Sequence, residues 1–290
     1  MLTHKLTAAI FTKNEEKRLR ITLANFSGLI PCIIIDNHST DGTRSIAYEL
    51  GIPFHVVANP GHFENSETMR AVNELCQTPY LLIASCAEFI PFSLLSIYAR
   101  CAENDSYDIV RATRISITAG HEVPISVSLA KSHPGELRMM RKGAVDYSNN
   151  QVHSVGKAAS PDTRTCRLPH TRELSFFQFR DYDCATSEIN HCRYNDLWAK
   201  QRYAAGERFS WPRAIILSFC RFAKPYFYLG AWKNGSLGLI HCIYRFTMEL
   251  TIQFRIWELQ TNTTAETIRE SNLRIRTGML DDLKKNTLEQ

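Results

Sequence analysis

Within residues 6–88, short apolar runs that end in polar clusters alternate with stretches of helical spacing, and this alternation restricts the possible folds more than any other feature. Leu6 to Thr12 is the first run; it stops at Lys13-Asn14-Glu15-Glu16, and Leu19, Leu23 and Phe26 follow at helical intervals. Pro31 introduces Cys32-Ile33-Ile34-Ile35, a buried-strand composition that stops at Asp36-Asn37-His38-Ser39-Thr40-Asp41-Gly42-Thr43. Ser39, Thr40 or Asp41 is placed to cap a helix whose apolar face is Ile46, Ala47 and Leu50 and which Gly51 closes. A strand at Phe54 to Val57, a helix near Ser66 to Cys76 and a strand at Tyr80 to Ala84 repeat the pattern. The spacing predicts an α/β fold: a mostly parallel sheet flanked by helices, with right-handed crossovers. Ligands of such sheets sit beyond the carboxyl ends of the strands, where the polar clusters at 13–16, 36–43 and 85–88 all fall.

A further strand is expected over Asp108 to Ile117, followed by loops and short strands across the Gly-, Pro-, Ser- and His-rich stretch from Thr118 to Arg172. From Glu188 the pattern turns helical, through Trp198, Ile215, Phe219, Ile243, Leu250 and Trp257. The expected organisation is one α/β domain over 1–187, in two halves, the first to about 117 and the second over 118–187. A helical C-terminal region covers 188–260, and 261–290 is a polar tail or lone helix. No window reaches the apolar length of a membrane span, because Arg213, Arg221, Lys224 and Lys233 interrupt the most apolar C-terminal region.

From pattern alone, Asp36 at a strand end with Ser39-Thr40-Asp41-Gly42 behind it offers a carboxylate for a base or ribose and a helix start for phosphate; a plain capping loop reads the same way. The net charge of +5 suits phosphate-bearing ligands or an anionic membrane surface, and no nucleic-acid module is visible, so nucleic acid is not an expected partner. The cysteines form no CxxC pair and read as thiols of a reducing compartment; with no signal-peptide pattern at the start, the expected location is the cytoplasm.

Phe11-Thr12-Lys13-Asn14-Glu15-Glu16 together with Ile33-Ile34-Ile35-Asp36-Asn37-His38-Ser39-Thr40-Asp41-Gly42-Thr43 resembles the paired signatures of family 2 glycosyltransferases, which adopt the GT-A fold. The resemblance implies a nucleotide-sugar donor, most simply a UDP-sugar, held by Phe11, Lys13, Asn14, Glu16, Asp36, Asn37, Ser39 and Asp41. Gly135 to Arg141, Lys142-Gly143, Val152-His153 and Arg193-Tyr194 are similar to a bacterial subgroup that builds lipopolysaccharide cores and other surface glycans. This implies a glycan or lipid-linked acceptor, inverting transfer, and a place at the inner face of the cytoplasmic membrane. The alternation of Arg213, Arg221 and Lys224 with Trp211, Phe219, Phe222, Tyr226, Phe227 and Tyr228 suits contact with such a surface, and equally suits packing on the catalytic domain.

Two departures from the family pattern stand out. Where the family places Asp-X-Asp for a divalent ion, this chain reads Ser85-Cys86-Ala87-Glu88. Glu88 either holds Mg2+ or Mn2+ alone with the diphosphate or binds a sugar hydroxyl while Arg138, Arg141 and Lys157 neutralise the phosphates; transfer in the second case is metal-independent. Where the subgroup has Val-His-Glu, this chain reads Val152-His153-Ser154, so the general base falls to His153 or Asp146, with Asp181 and Asp183 as further candidates. The second reading left open is a non-catalytic relative that serves as a nucleotide-binding scaffold in a glycan assembly complex.

Overall fold

Every residue of the first strand, β1 (Leu6–Thr12), is buried, because successive side chains enter two separate cores on opposite faces of one sheet. The computed structural model describes residues 1–59, 65–118, 120–122, 135–148, 156–180 and 184–288. After β1 come α1 (Leu19–Phe26), β2 (Cys32–Asp36), α2 (Thr43–Glu49), β3 (Phe54–Val56), α3 (Ser66–Leu75), β4 (Tyr80–Ser85), β5 (Glu88–Phe89), α4 (Phe92–Glu103) and β6 (Ile109–Thr118). Then follow β7 (His121–Glu122), β8 (Glu136–Arg141), β9 (Val145–Asp146), β10 (Lys157–Ala158), β11 (Thr165–Arg167) and β12 (Ser175–Arg180). Helices α5 (Cys184–Ala204), α6 (Trp211–Ala223), α7 (Gly235–Thr261) and α8 (Ala265–Leu288) complete the chain.

The main sheet has the order β3-β2-β1-β4-β8-β6-β12-β5, with β7 and β11 paired to β6. Strands β3, β2, β1 and β4 are parallel, β8 runs antiparallel between β4 and β6, and β6 and β12 are parallel. Ala8, Ile10, Ile34 and Leu82 pack on one face with Leu19, Leu23 and Phe26 of α1 and Leu94, Leu95 and Tyr98 of α4. Ala9, Phe11, Ile33, Ile35, Leu81 and Ile83 pack on the other with Met69, Val72 and Cys76. Truncating a fully buried strand residue such as Ile34 to alanine costs about 3 kcal/mol.

The expected strands are present with ends shifted by a residue or two. Gly42 occupies the cap position of α2, and Asp41 serves both the helix start and the preceding loop, its Oδ1 accepting from the Thr43 N–H (3.0 Å) and its Oδ2 from the Glu16 N–H (3.1 Å), while Ser39 is bonded to the preceding loop. Helix α4, β8 and β12 were not singled out by periodicity. Strand β8 lies within the stretch read as loops and short strands; it sits in the middle of the sheet with Leu137, Arg138, Met139 and Met140 all buried, and its internal arginine hides the apolar pattern.

The chain divides into two compact units, residues 1–185 with 227–238, and 186–226 with 239–290. In the second unit Ala199 of α5 packs with Ile252 and Ile256 of α7, flanked by Trp198, Tyr203, Phe209 and Met248. The polar tail is helix α8, exposed at all its described side chains except the half-buried Thr267. Among the described residues no helix is long and apolar enough to cross a membrane. Cys32, Cys76, Cys86, Cys101, Cys166, Cys220 and Cys242 are free thiols.

Candidate functional site

Strand register brings three chain ends to one edge of the sheet: Thr12 pairs with Asp36, and Phe11 with both Ile35 and Ser85. The segments leaving β1 and β2 are laced together by hydrogen bonds between side chains and backbone. Asp36 is 1% exposed; its Oδ1 accepts from the hydroxyls of Thr12 (2.8 Å) and Ser39 (2.5 Å), and its Oδ2 accepts from the Ser39 N–H (2.7 Å). The Asn14 N–H donates to Ser39 Oγ (2.7 Å), while Asn14 Oδ1 accepts from the Thr40 N–H (2.8 Å). The Glu15 N–H donates to the Thr43 hydroxyl (2.8 Å), the Glu16 N–H to Asp41 Oδ2 (3.1 Å), and the Gly42 N–H donates back to Glu16 Oε2 (2.8 Å).

Each side chain here has a definable task. Burial works to raise the Asp41 carboxyl, but donors from Thr43 and the Glu16 N–H hold it below the usual carboxylate range. A Cβ at Gly42 would stand 3.0 Å from Glu16 Oε2, so a larger residue there would press on the side chain that ties the two loops together. Asn14 and His38 both adopt left-handed backbone conformations, φ 55° and 54°, a feature that concentrates at binding loops. Asn37 exchanges hydrogen bonds with Asn59, its Nδ2 donating to the Asn59 Oδ1 (3.0 Å) and carbonyl (3.1 Å), and so ties in the segment after β3. Asn14, Asn37, Ser39 and Asp41 thus shape the rim, Phe11 lies beneath it in the core, and Lys13 stands exposed at its edge.

At the end of β4, Glu88 is buried and Oε1 lies 2.7 Å from Arg138 Nη2, while Oε2 accepts from the Ser85 N–H (3.0 Å). Arg138 also pairs with Glu136 (2.7 Å), its guanidinium carbon is 4.1 Å from the Phe176 ring centre, and Arg114 reaches Glu136 from the far side (3.1 Å). Burial pushes the Glu88 carboxyl up, with Arg138 pulling it back and Glu136 adding to the rise. This arrangement does not fit a divalent ion. Ser85 and Ala87 bring no anionic oxygen, burial pushes the Cys86 thiol up to about 12, and the Glu88 oxygens already face a cation and an N–H. Among the described residues no group of three His, Cys, Asp or Glu is placed to hold a metal. Glu88, one of whose two expected roles was to hold a metal, is here the partner of Arg138.

The remaining candidates are scattered. Arg141 lies at the opposite end of β4, opposite Tyr80 in register, bonded to Asp108 Oδ1 (2.9 Å) and the Tyr80 hydroxyl (2.8 Å). The structure does not bring it to the loops that follow β1 and β2. Asp146 is exposed and turned on its own chain, accepting from the Ser148 N–H (2.8 Å) and hydroxyl (3.0 Å), which hold it below the usual range. Lys157 is opposite Asp146 in the β9–β10 pair. His153, Ser154, Asp181 and Asp183 lie outside the described residues. Sequence reading passed over Thr12, Thr43 and Glu136; a hydroxyl ending an apolar strand, and an acid two residues from Arg138 on the same strand face, were the available signals.

A family model described as glycosyl transferase family 2 matches residues 7–155, which include both laced loops, Glu88 and Arg138. The lipopolysaccharide core biosynthesis glycosyltransferase LpsC of Rhizobium meliloti (strain 1021) is 24% identical over 243 residues, 82% of this chain and 86% of that protein. Among solved structures, the mannosyltransferase PcManGT from Pyrobaculum calidifontis, in complex with GDP-Man and Mn2+, aligns at 12% identity with a TM-score of 0.48, over 94% of this chain and 80% of that one. TarS 1–349 of S. aureus, in complex with UDP-GlcNAc, aligns at 10% identity with a TM-score of 0.43, over 90% and 93%.

Proposed function

The chain belongs to glycosyltransferase family 2, and from that membership we propose that it moves a sugar from a nucleotide-sugar donor to a lipopolysaccharide core or related surface-glycan acceptor, with inversion. It is a glycosyl-transfer enzyme of the GT-A fold; of the two readings left open by the sequence, family membership supports the enzyme over the scaffold. The likeness to LpsC over most of both chains supports the choice of acceptor.

The observation that carries the donor reading is the lacing of residues 12–16 to 36–43 around Asp36. Three of the roughly four lone-pair directions of its carboxylate are already used within the protein, which fixes its orientation and leaves one acceptor direction for a nucleoside N–H or hydroxyl. Lys13 supplies a cation at the same rim, and a UDP-sugar is the proposed donor. In the transfer, the acceptor oxygen bonds to the anomeric carbon as the carbon–phosphate oxygen bond breaks on the opposite side; the acceptor proton passes to a general base and the electron pair leaves on the nucleoside diphosphate. His153 is proposed as that base ahead of Asp146, whose hydrogen bonds to Ser148 reduce its basicity.

Helix α6 carries Trp211, Ile215, Ile216 and Phe219, each more than half exposed and spaced along adjoining rows of the helix. That stripe supports contact with the inner face of an anionic membrane, where a lipid-linked acceptor is met. Vesicle flotation with no dependence on anionic lipid sinks this part. For the donor site, Asp36→Ala should abolish nucleotide-sugar binding by calorimetry and turnover in a mixed-donor screen; unchanged affinity refutes the site.

A further inference from the structure

Trp198 and Arg202 on α5, Arg221 on α6, and Arg245, Met248 and Ile252 on α7 line a cavity of about 360 Å3 within the second unit. Its charges do not balance. Glu207 pairs with Arg202 (2.7 Å) and Arg213 (3.1 Å), and Glu249, 1% exposed, pairs with Arg202 (2.7 Å) and Arg221 (3.4 Å). Arg245, partly buried, pairs with no carboxylate among the described residues, so the three guanidinium groups that line the cavity stand against two acids, Glu207 and Glu249. Burial and the nearby Arg221 charge push Arg245 below the ordinary arginine range, as expected of a cation held without its counter-ion.

We propose that this cavity binds a phosphate-bearing molecule, with Arg245, Arg221 and Arg202 clamping the phosphate oxygens and Trp198, Met248 and Ile252 packing against the organic part. A phosphomonoester presents three acceptor oxygens and close to two negative charges, which suits three converging guanidinium groups better than the two oxygens and single charge of a carboxylate do. Guanidinium forks match phosphate oxygens in pairs, and an indole face beside them suits a ring-bearing or acyl-bearing ester. The site goes beyond the donor reading and does not depend on it, since none of its residues lies on the nucleotide loops.

The test uses the full chain, titrated by calorimetry and thermal melting with inorganic phosphate, with glucose 6-phosphate, and with phosphatidylcholine vesicles with and without phosphatidic acid. A phosphate-bearing probe should bind and raise the melting temperature, and Arg245→Gln and Arg221→Gln should each weaken that binding at least tenfold. Arg245→Lys should fall between. Asp36→Ala should bind as the parent does, which separates this cavity from the nucleotide loops and leaves the result readable if the donor reading fails. Binding of glucose 6-phosphate identifies a soluble phosphosugar, and binding of phosphatidate vesicles alone identifies a lipid phosphate; either supports the site. Without ligand, Arg245→Gln should melt no lower than the parent, because it removes an unpaired cation. Failure of every probe to bind, binding indifferent to Arg245→Gln, or a ligand-free Arg245→Gln protein of lowered melting temperature overturns the proposal.

Discussion

Arg138 Nη2 stands 2.7 Å from Glu88 Oε1 with both side chains more than nine-tenths buried, so the carboxylate that follows β4 faces a guanidinium. Removing one partner of such a pair leaves an uncompensated buried charge. Arg138→Met should lower unfolding free energy by about 3 kcal/mol in urea titrations. Glu88→Gln should cost less, because Arg138 keeps Glu136. The double variant should be less destabilised than the sum of the two, and strict additivity would show the pair to be uncoupled.

Thr12 donates its hydroxyl to Asp36, and Thr12→Val keeps the side-chain shape while removing that donor. The expected loss is about 1 kcal/mol of stability together with weaker nucleotide binding, because Asp36 loses one of the three bonds that orient it. Gly42→Ala should reduce nucleotide affinity with little effect on melting, since the added methyl group presses on an exposed Glu16 side chain. Calorimetry and melting on the same samples separate the two effects.

In the helical unit, burial works to raise the Glu207 carboxyl, but donors from Arg202, Gln253 and Arg213 hold it at about 2 against an ordinary value of 4.5. The unfolded chain takes up this proton more readily than the folded one. The stabilisation is therefore complete above pH 4.5 and is lost as pH falls towards 2. Its size is about 2 kcal/mol after allowance for solvent screening. Glu207→Gln should be less stable at neutral pH and show a flatter acid limb; an acid limb of unchanged slope would remove Glu207 from the account.

The sheet edge that carries Asp36 was legible because parallel central strands are buried on both faces and so read as unbroken apolar runs ending in polar residues, as at Leu6–Thr12 and Cys32–Asp36. What local pattern does not carry is pairing at a distance. Thr12 becomes the partner of Asp36 only through the register of β1 with β2, and Arg138 finds Glu88 only because β8 enters the sheet beside β4. Arg138 and Arg141 look like one basic cluster in sequence. Three residues along a strand is about 10 Å and a change of face, so one meets Glu88 and the other meets Asp108 and Tyr80.

The same geometry leads to an expectation about metal. Family 2 enzymes by resemblance hold a divalent ion on the acids after the fourth strand, and here the sole carboxylate at that turn has a guanidinium and an N–H as its partners. A hard cation would have to displace Arg138 from a buried site and leave it facing Glu136 alone. Donor affinity should therefore stay within about twofold when EDTA is added or Mn2+ is supplied, a difference below about 0.4 kcal/mol. Ser85→Asp alone should not create Mn2+ dependence, whereas Ser85→Asp with Arg138→Met frees Glu88 to act beside a second acid and should. Calorimetric titration of a UDP-sugar with and without the ion decides it: a tenfold loss of parent affinity in EDTA would mean that the ion is held by other groups and that the Glu88–Arg138 pair is not its replacement.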